Sequence, residues 1–190
     1  MKLKILSFAL FLFTFTTIAQ TQKELETGLY QLYTNTVKGN YQGLVDDSYP
    51  KIFNIIPKEK MLSALEQMMN GDGFTMMILD TPPNFKYGAI KKIGASSYCL
   101  VKHDLKMKMV FTDKLTKEEG DQMIATFKQG MQTEDVTFSQ TDNAITLKKQ
   151  AEVVCVADTL TNNKWMFLNR SGNALMAKIF DAKVIKELGL

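Results

Sequence analysis

The hydrophobic positions change period along the chain. Leu25, Leu29, Leu32, Tyr33 and Val37 recur at helical spacing behind Thr21-Gln22-Lys23-Glu24, which has the form of a capping box. A first helix is therefore predicted from there to Lys38, closed by Gly39. A short helix follows over 41–47 and stops before Tyr49-Pro50, because the residue ahead of a proline is pushed out of helical backbone. Pro57 suits a first helical turn, and Met61, Leu62, Leu65, Met68 and Met69 make one apolar stripe ending at Gly71.

From Phe74 the period shortens. Residues 74–79 form an apolar run, Thr81-Pro82-Pro83-Asn84 interrupts it, and 85–93 reads as a second strand ending at Gly94. Over 97–111 the chain alternates: Cys99, Val101, His103, Leu105, Met107, Met109 and Phe111 take one face, and Lys102, Asp104, Lys106 and Lys108 the other. That pattern predicts a strand covered on one side and wet on the other, long enough to call for a bend or bulge. Thr116-Lys117-Glu118-Glu119 is a second capping box, opening a helix with Met123, Ile124, Phe127 and Met131 on its buried face. Strands at 136–140, 145–148, 152–160 and 165–169, with turns at Asp142-Asn143 and Asn162-Asn163, read as an antiparallel meander. Asp181 caps a closing helix that carries Val184, Ile185 and Leu188. The chain from 21 to 190 is expected to be one α+β domain, with N-terminal helices packed on a strongly curved antiparallel sheet, an inserted helix and a C-terminal helix.

Residues 1–19 have a different character. Lys2 and Lys4 precede an apolar run over 5–15, and Thr17-Ile18-Ala19 places small residues before a cut ahead of Gln20. This is the pattern of a secretory signal peptide, so the mature protein is expected in the periplasm or secreted. The apolar stretch is shorter than the roughly 20 residues of a spanning helix, and no later segment is apolar enough to span, so no membrane association is expected of the mature form. Of the 190 residues, 45% are hydrophobic and 23% charged, a globular composition. The formal charge of +3 falls to +1 once Lys2 and Lys4 leave with the leader, which removes any argument for nucleic acid as a partner.

The candidate chemistry is sparse. With one histidine, His103, the chain supports no HExxH site or paired-histidine acid/base scheme, and it has no CxxC, phosphate loop, calcium loop or GxSxG elbow. His103 shares its strand face with Cys99, Met107 and Met109, a soft ligand set suited to Cu(I). Methionines filling an irregular curved core account for the same residues, and no metal or cofactor is predicted. Cys99 and Cys155, with 55 residues between them, are either a disulfide or two buried thiols. A bridge would contribute about 4 kcal/mol in the chain-entropy picture and needs the two strands to be neighbours.

Taken in order, the helix with Tyr33 near its end, Val37-Lys38-Gly39-Asn40-Tyr41, the short helix leading to Tyr49-Pro50, the Pro57 helix and the late Asn163-Lys164-Trp165-Met166-Phe167 resemble the nuclear transport factor 2-like superfamily, among its exported bacterial members. The resemblance implies a cone-shaped roll enclosing a pocket. It departs at Asn40, where members often have aspartate, and at the inserted helix. None of the catalytic sets of that superfamily can be placed residue by residue, and the fold alone does not choose a function. The leading expectation is a non-catalytic exported domain that binds a small, mainly apolar ligand through His103, Met107, Met109, Tyr33 and Trp165. A small lyase or isomerase using acid/base groups in the same pocket is the second reading. The third is an interaction module, such as a homodimer through the outer face of the sheet.

Overall fold

The computed structural model describes residues 16–190, with side chains from Gln22 onward. Helices α1 (Thr16–Val37), α2 (Tyr41–Asp46) and α3 (Lys58–Met69) come first, with a 3-10 turn at Pro50–Asn54 between α2 and α3. Gly39 at φ 64° reverses the chain after α1, and the Asn40 side chain accepts from the Gly43 N–H to cap α2. The expected leader lies outside the described residues as far as residue 15, and its last four residues are backbone of the first turn of α1. Thr21 is therefore not an N-cap: no proline or glycine separates it from Thr16, and the helix runs through. Among the described residues no helix is long and apolar enough to cross a membrane.

Seven strands follow: β1 (Phe74–Ile78), β2 (Lys86–Tyr87), β3 (Lys91–Ile93), β4 (Ser96–Phe111), β5 (Val136–Ser139), β6 (Ala144–Ala157) and β7 (Met166–Asn169). Helix α4 (Lys117–Met131) is inserted between β4 and β5, and α5 (Asn173–Ile179) and α6 (Ala182–Leu188) close the chain. All strand pairs are antiparallel, and the sheet is curled but not closed. Its spine is the β4–β6 ribbon, paired without interruption from Ser97 opposite Ala157 to Val110 opposite Ala144. The expected bulge is absent from that ribbon. The irregularity lies in the edge partner instead, because β1, β2 and β3 are one broken strand laid along β4, and the predicted strand over 85–93 is split in two. Residues 145–148 and 152–157, expected as separate strands, are both part of β6, since Lys149, Gln150 and Ala151 stay paired with β4 despite their polarity. Strands β5 and β7 share the far edge of β6, and residues 159–161 are a 3-10 turn.

Helices cover the ribbon unequally. Odd-numbered residues of β4 and β6 share one face. Near one end Cys99, Val101, Val153 and Cys155 pack with Leu25 and Leu29 of α1, and near the other Met107, Phe111, Ile145 and Leu147 pack with Met123, Ile124 and Phe127 of α4. Close approach matters in both places. A Cβ on Gly28 would stand 2.8 Å from the Phe167 ring, and one on Gly120 would stand 2.1 Å from the Phe138 ring. The even face is covered only at the first end, where Tyr98, Val154 and Val156 pack with Tyr49, Phe180 and Val184. The strand expected to be wet along its whole even face is therefore buried on both faces at Tyr98 and wet from Lys102 onward. Helix α5, which carries Met176 and Ile179 into that cover, was not expected from the sequence.

Candidate functional site

On the odd face a row of apolar side chains along β4 and β1 stays only partly buried, although α4 packs on Met107 within it. Leu105, Met107 and Met109 project from β4, with Met76 directly opposite Met109 and Ile78 opposite Met107 on β1. All five are only half-buried, although all are apolar. The backbone explains the grouping. Leu79 N–H donates to Lys106 C=O at 2.9 Å and Thr112 N–H to Gly73 C=O at 2.9 Å, so the even residues of β4 bond to β1. Met76–Met109 and Ile78–Met107 are consequently non-hydrogen-bonded pairs, the kind that brings cross-strand side chains closest. The feature is a methionine-lined strip of partly buried side chains, termed the trough, where the sequence pattern leads one to expect an enclosed pocket.

His103 stands at the α1 rim of the trough. Its ring lies 5.8 Å from that of Phe85, which meets Tyr33 edge-on at 6.4 Å and Tyr30 at 5.2 Å. The Nδ1 atom is 3.2 Å from the Asp104 carbonyl oxygen, which can only accept, so the proton of that contact sits on Nδ1. Burial pushes the imidazole below its usual 6.5, and the Asp104 carbonyl and carboxylate offset this only in part. The Asp104 carboxylate itself is on the opposite face, accepting from Asn84 Nδ2 at 2.8 Å and lying 3.7 Å from Lys148 Nζ. Tyr33 is held in place: its hydroxyl donates to the Thr81 carbonyl and accepts from the Thr81 N–H at 3.0 Å.

The structure thus brings His103 and Tyr33 to one rim, through Phe85, and sets Met107 and Met109 along the trough. Trp165 is not with them. It is buried in the core under α1, in the same cluster as Cys155 and Phe167, because β7 pairs with the far end of β6. Two open surface depressions, of about 500 Å³ along α1 beside Tyr30 and about 350 Å³ beside Gly88 and Leu188, are lined by none of these five residues.

The cysteines face each other across the ribbon, Cys99 opposite Cys155, and both are free and buried. The disulfide alternative is therefore not realised, and the hydrogen-bond phase gives the reason. Gly88 N–H donates to Leu100 C=O and Asp104 N–H to Pro83 C=O, so the even residues of β4 bond outward and the odd ones bond to β6. Cys99–Cys155 is a hydrogen-bonded pair, with Cα atoms about 5.5 Å apart and side chains more widely spaced than in the alternate pairs. A disulfide wants its Cβ atoms near 3.8 Å. Burial pushes the Cys99 thiol up to about 11 and raises Cys155 further, with the neighbouring Cys99 adding to it.

A buried tyrosine and a buried carboxylate also meet. The Tyr49 hydroxyl donates to Asp158 Oδ2 at 2.7 Å, and Asp158 Oδ1 accepts from the Thr161 N–H at 3.1 Å. Burial first, and then Asp158, raise the tyrosine pKa well above the usual 10. Both groups are enclosed in the two-faced end of the core, where the pair fastens the Pro50–Asn54 turn to the end of β6. Comparison with protein-family models, with curated proteins and with solved structures returned no match.

Proposed function

We propose that this chain is a non-catalytic exported domain that takes a small, mainly apolar ligand on the methionine-lined trough. One observation carries the reading: Leu105, Met107, Met109, Met76 and Ile78 lie side by side on the odd sheet face and stay only partly buried, although α4 packs on Met107. Flexible thioether chains adapt to varied apolar shapes, which suits a ligand held by packing more than by hydrogen bonds. Export is supported by the leader pattern of residues 1–19. The curled sheet with helices on its inner face is in keeping with the nuclear transport factor 2-like resemblance.

The lyase or isomerase reading has less support. His103 has no carboxylate against its ring, because strand alternation sends the Asp104 side chain to the other face. The buried tyrosine–carboxylate hydrogen bond found among the described residues, Tyr49 to Asp158, lies inside the packed core, away from the trough.

The test is a Nile red titration of mature protein purified without detergent, using wild type, Met109→Glu at the trough and Ile55→Glu at an exposed apolar position elsewhere. Saturable fluorescence from wild type and Ile55→Glu, reduced at least tenfold in Met109→Glu with unchanged circular dichroism, is the expected result. Equal binding by Met109→Glu, or no saturable binding by wild type, overturns the proposal.

A further inference from the structure

The edges of the sheet are guarded in different ways, and one is left open. Strands β2 and β3 carry Lys86, Lys91 and Lys92, and edge lysines oppose the approach of another strand. The outer side of β7 is already taken: Phe167 N–H donates to Asp47 C=O and Tyr49 N–H to Phe167 C=O, each at 2.9 Å. Strand β5 is four residues long, and its outward-turned Val136 N–H is spent on Glu134 C=O at 3.1 Å.

Strand β1 carries no edge lysine and no strand or loop backbone bonded to its outer side, and only its first N–H is spent locally. Its sequence, Phe74-Thr75-Met76-Met77-Ile78, contains no charge and no proline. The bonds at its two ends, Gly73 with Thr112 and Leu79 with Lys106, fix Thr75 and Met77 as the residues bonded to β4. Phe74, Met76 and Ile78 therefore turn their backbone outward. Phe74 N–H is used by Gly71 C=O, but both backbone groups of Met76 and of Ile78 have no hydrogen-bond partner among the described residues. A ladder of free donors and acceptors on an uncharged edge is the requirement for strand addition.

We propose that β1 is a strand-addition site for an extended segment of a partner protein, apolar at alternate positions and basic at both ends. The charge requirement comes from Asp72 and Asp80, exposed residues that bracket the strand. It also decides against a second copy of this chain. Antiparallel pairing of two β1 edges about Met76 would set Asp72 of each copy opposite Asp80 of the other, and like charges directly opposed are unfavourable. Basic flanks on the incoming segment would meet the same two carboxylates with complementary charge. The inference rests on the backbone of β1 and stands apart from the apolar-ligand reading: Met109→Glu, which removes Nile red binding, is expected to leave strand addition intact.

The probe is a blocked, fluorescein-labelled peptide, Lys-Val-Thr-Val-Thr-Val-Lys, followed by anisotropy and by residue-resolved amide exchange on the intact mature chain. Saturable binding is expected, with exchange at the Met76 and Ile78 amides slowed at least tenfold while Thr75 and Met77 change little. The same peptide with glutamate at both ends, or N-methylated at its valines, is expected to bind at least tenfold more weakly, and neither alters the protein's own folding. Absence of saturable binding, or equal binding of the glutamate-flanked peptide, overturns the proposal. So does slowed exchange at Met76 and Ile78 on raising protein concentration alone, which would assign the edge to a second copy.

Discussion

The two ends of the β4–β6 ribbon share one register and one backbone, yet they are different kinds of structure. At the Tyr98 end both faces are covered, and the opposed residues form apolar runs: Tyr98-Cys99-Leu100-Val101 against Val153-Val154-Cys155-Val156. At the Met109 end only the odd face has a helix, and the even face shows Lys106, Lys108 and Lys148 to solvent with Asp104 among them. The lesson is that a strand's burial is set locally by the elements packed on it, and the period of the sequence changes from run to alternation where the second cover ends. His103 sits near the change, and the trough begins beyond it.

The sharpest way to break this contrast is truncation at each end. Tyr49→Ala in the doubly covered end is expected to cost about 3–5 kcal/mol, by cavity formation and loss of the partner of buried Asp158. Met109→Ala in the trough is expected to cost less, about 1–2 kcal/mol, since its side chain is only partly buried. Urea unfolding of the two variants measures the difference. Equal costs would mean that the trough is as well packed as the core.

A smaller effect tests how α4 sits on its end of the ribbon. Gly120→Ala places a methyl where the Phe138 ring lies, and about 1–3 kcal/mol of destabilisation is expected from overpacking. Phe138→Leu in the same chain should recover part of it. If the double variant melts no higher than the single one, the close approach of α4 to β5 is not what Gly120 provides.

The boundary between the ends has its own titration. Burial holds the His103 pKa below 6.5 in the folded chain, so between the folded value and 6.5 the unfolded state binds the proton more readily. Stability from this group is full above 6.5 and declines as pH falls below it. His103 is the chain's one histidine, so His103→Gln should flatten the stability profile between pH 7 and 5, read from urea midpoints at each pH. A parallel profile in the variant would place His103 in water.

The smallest expected signal is a null one at the closed end. Unreduced mature protein should show two free thiols by mass spectrometry, and in the native state neither Cys99 nor Cys155 should react appreciably with a thiol reagent until the chain unfolds. Rapid native labelling would show that this end opens more readily than its packing implies.

Much of this architecture was legible in the residues, because local rules governed it. Gly39, the Thr116 capping box, the Asp181 cap and the alternation from Cys99 to Phe111 all act over a few residues, and each was found where its pattern placed it. The errors came where distant chain decided. Lys149-Gln150-Ala151 looked like a break, but pairing with His103, Asp104 and Leu105 kept β6 continuous. Trp165 lies in the core under α1, apart from Met107 and Met109, a separation that the pairing of β7 with β6 decides. The trough could be anticipated only in part: Met107 and Met109 were evident from alternation, whereas Met76 and Ile78 enter through the β1–β4 register.

By itself the sequence determined the class of the fold, the helices other than α5 with the caps at Thr116 and Asp181, and a chemistry limited to one histidine and two cysteines, because these depend on composition and on spacing within a few residues. Only the tertiary structure decided which face of the ribbon each helix covers, that Cys99 and Cys155 oppose one another in a hydrogen-bonded pair, and that β1 is left as an open edge. Those are properties of strand order, register and packing between segments far apart in the chain, and a one-residue slip of β4 against β6 would alone take Cys99 off Cys155 and exchange the faces.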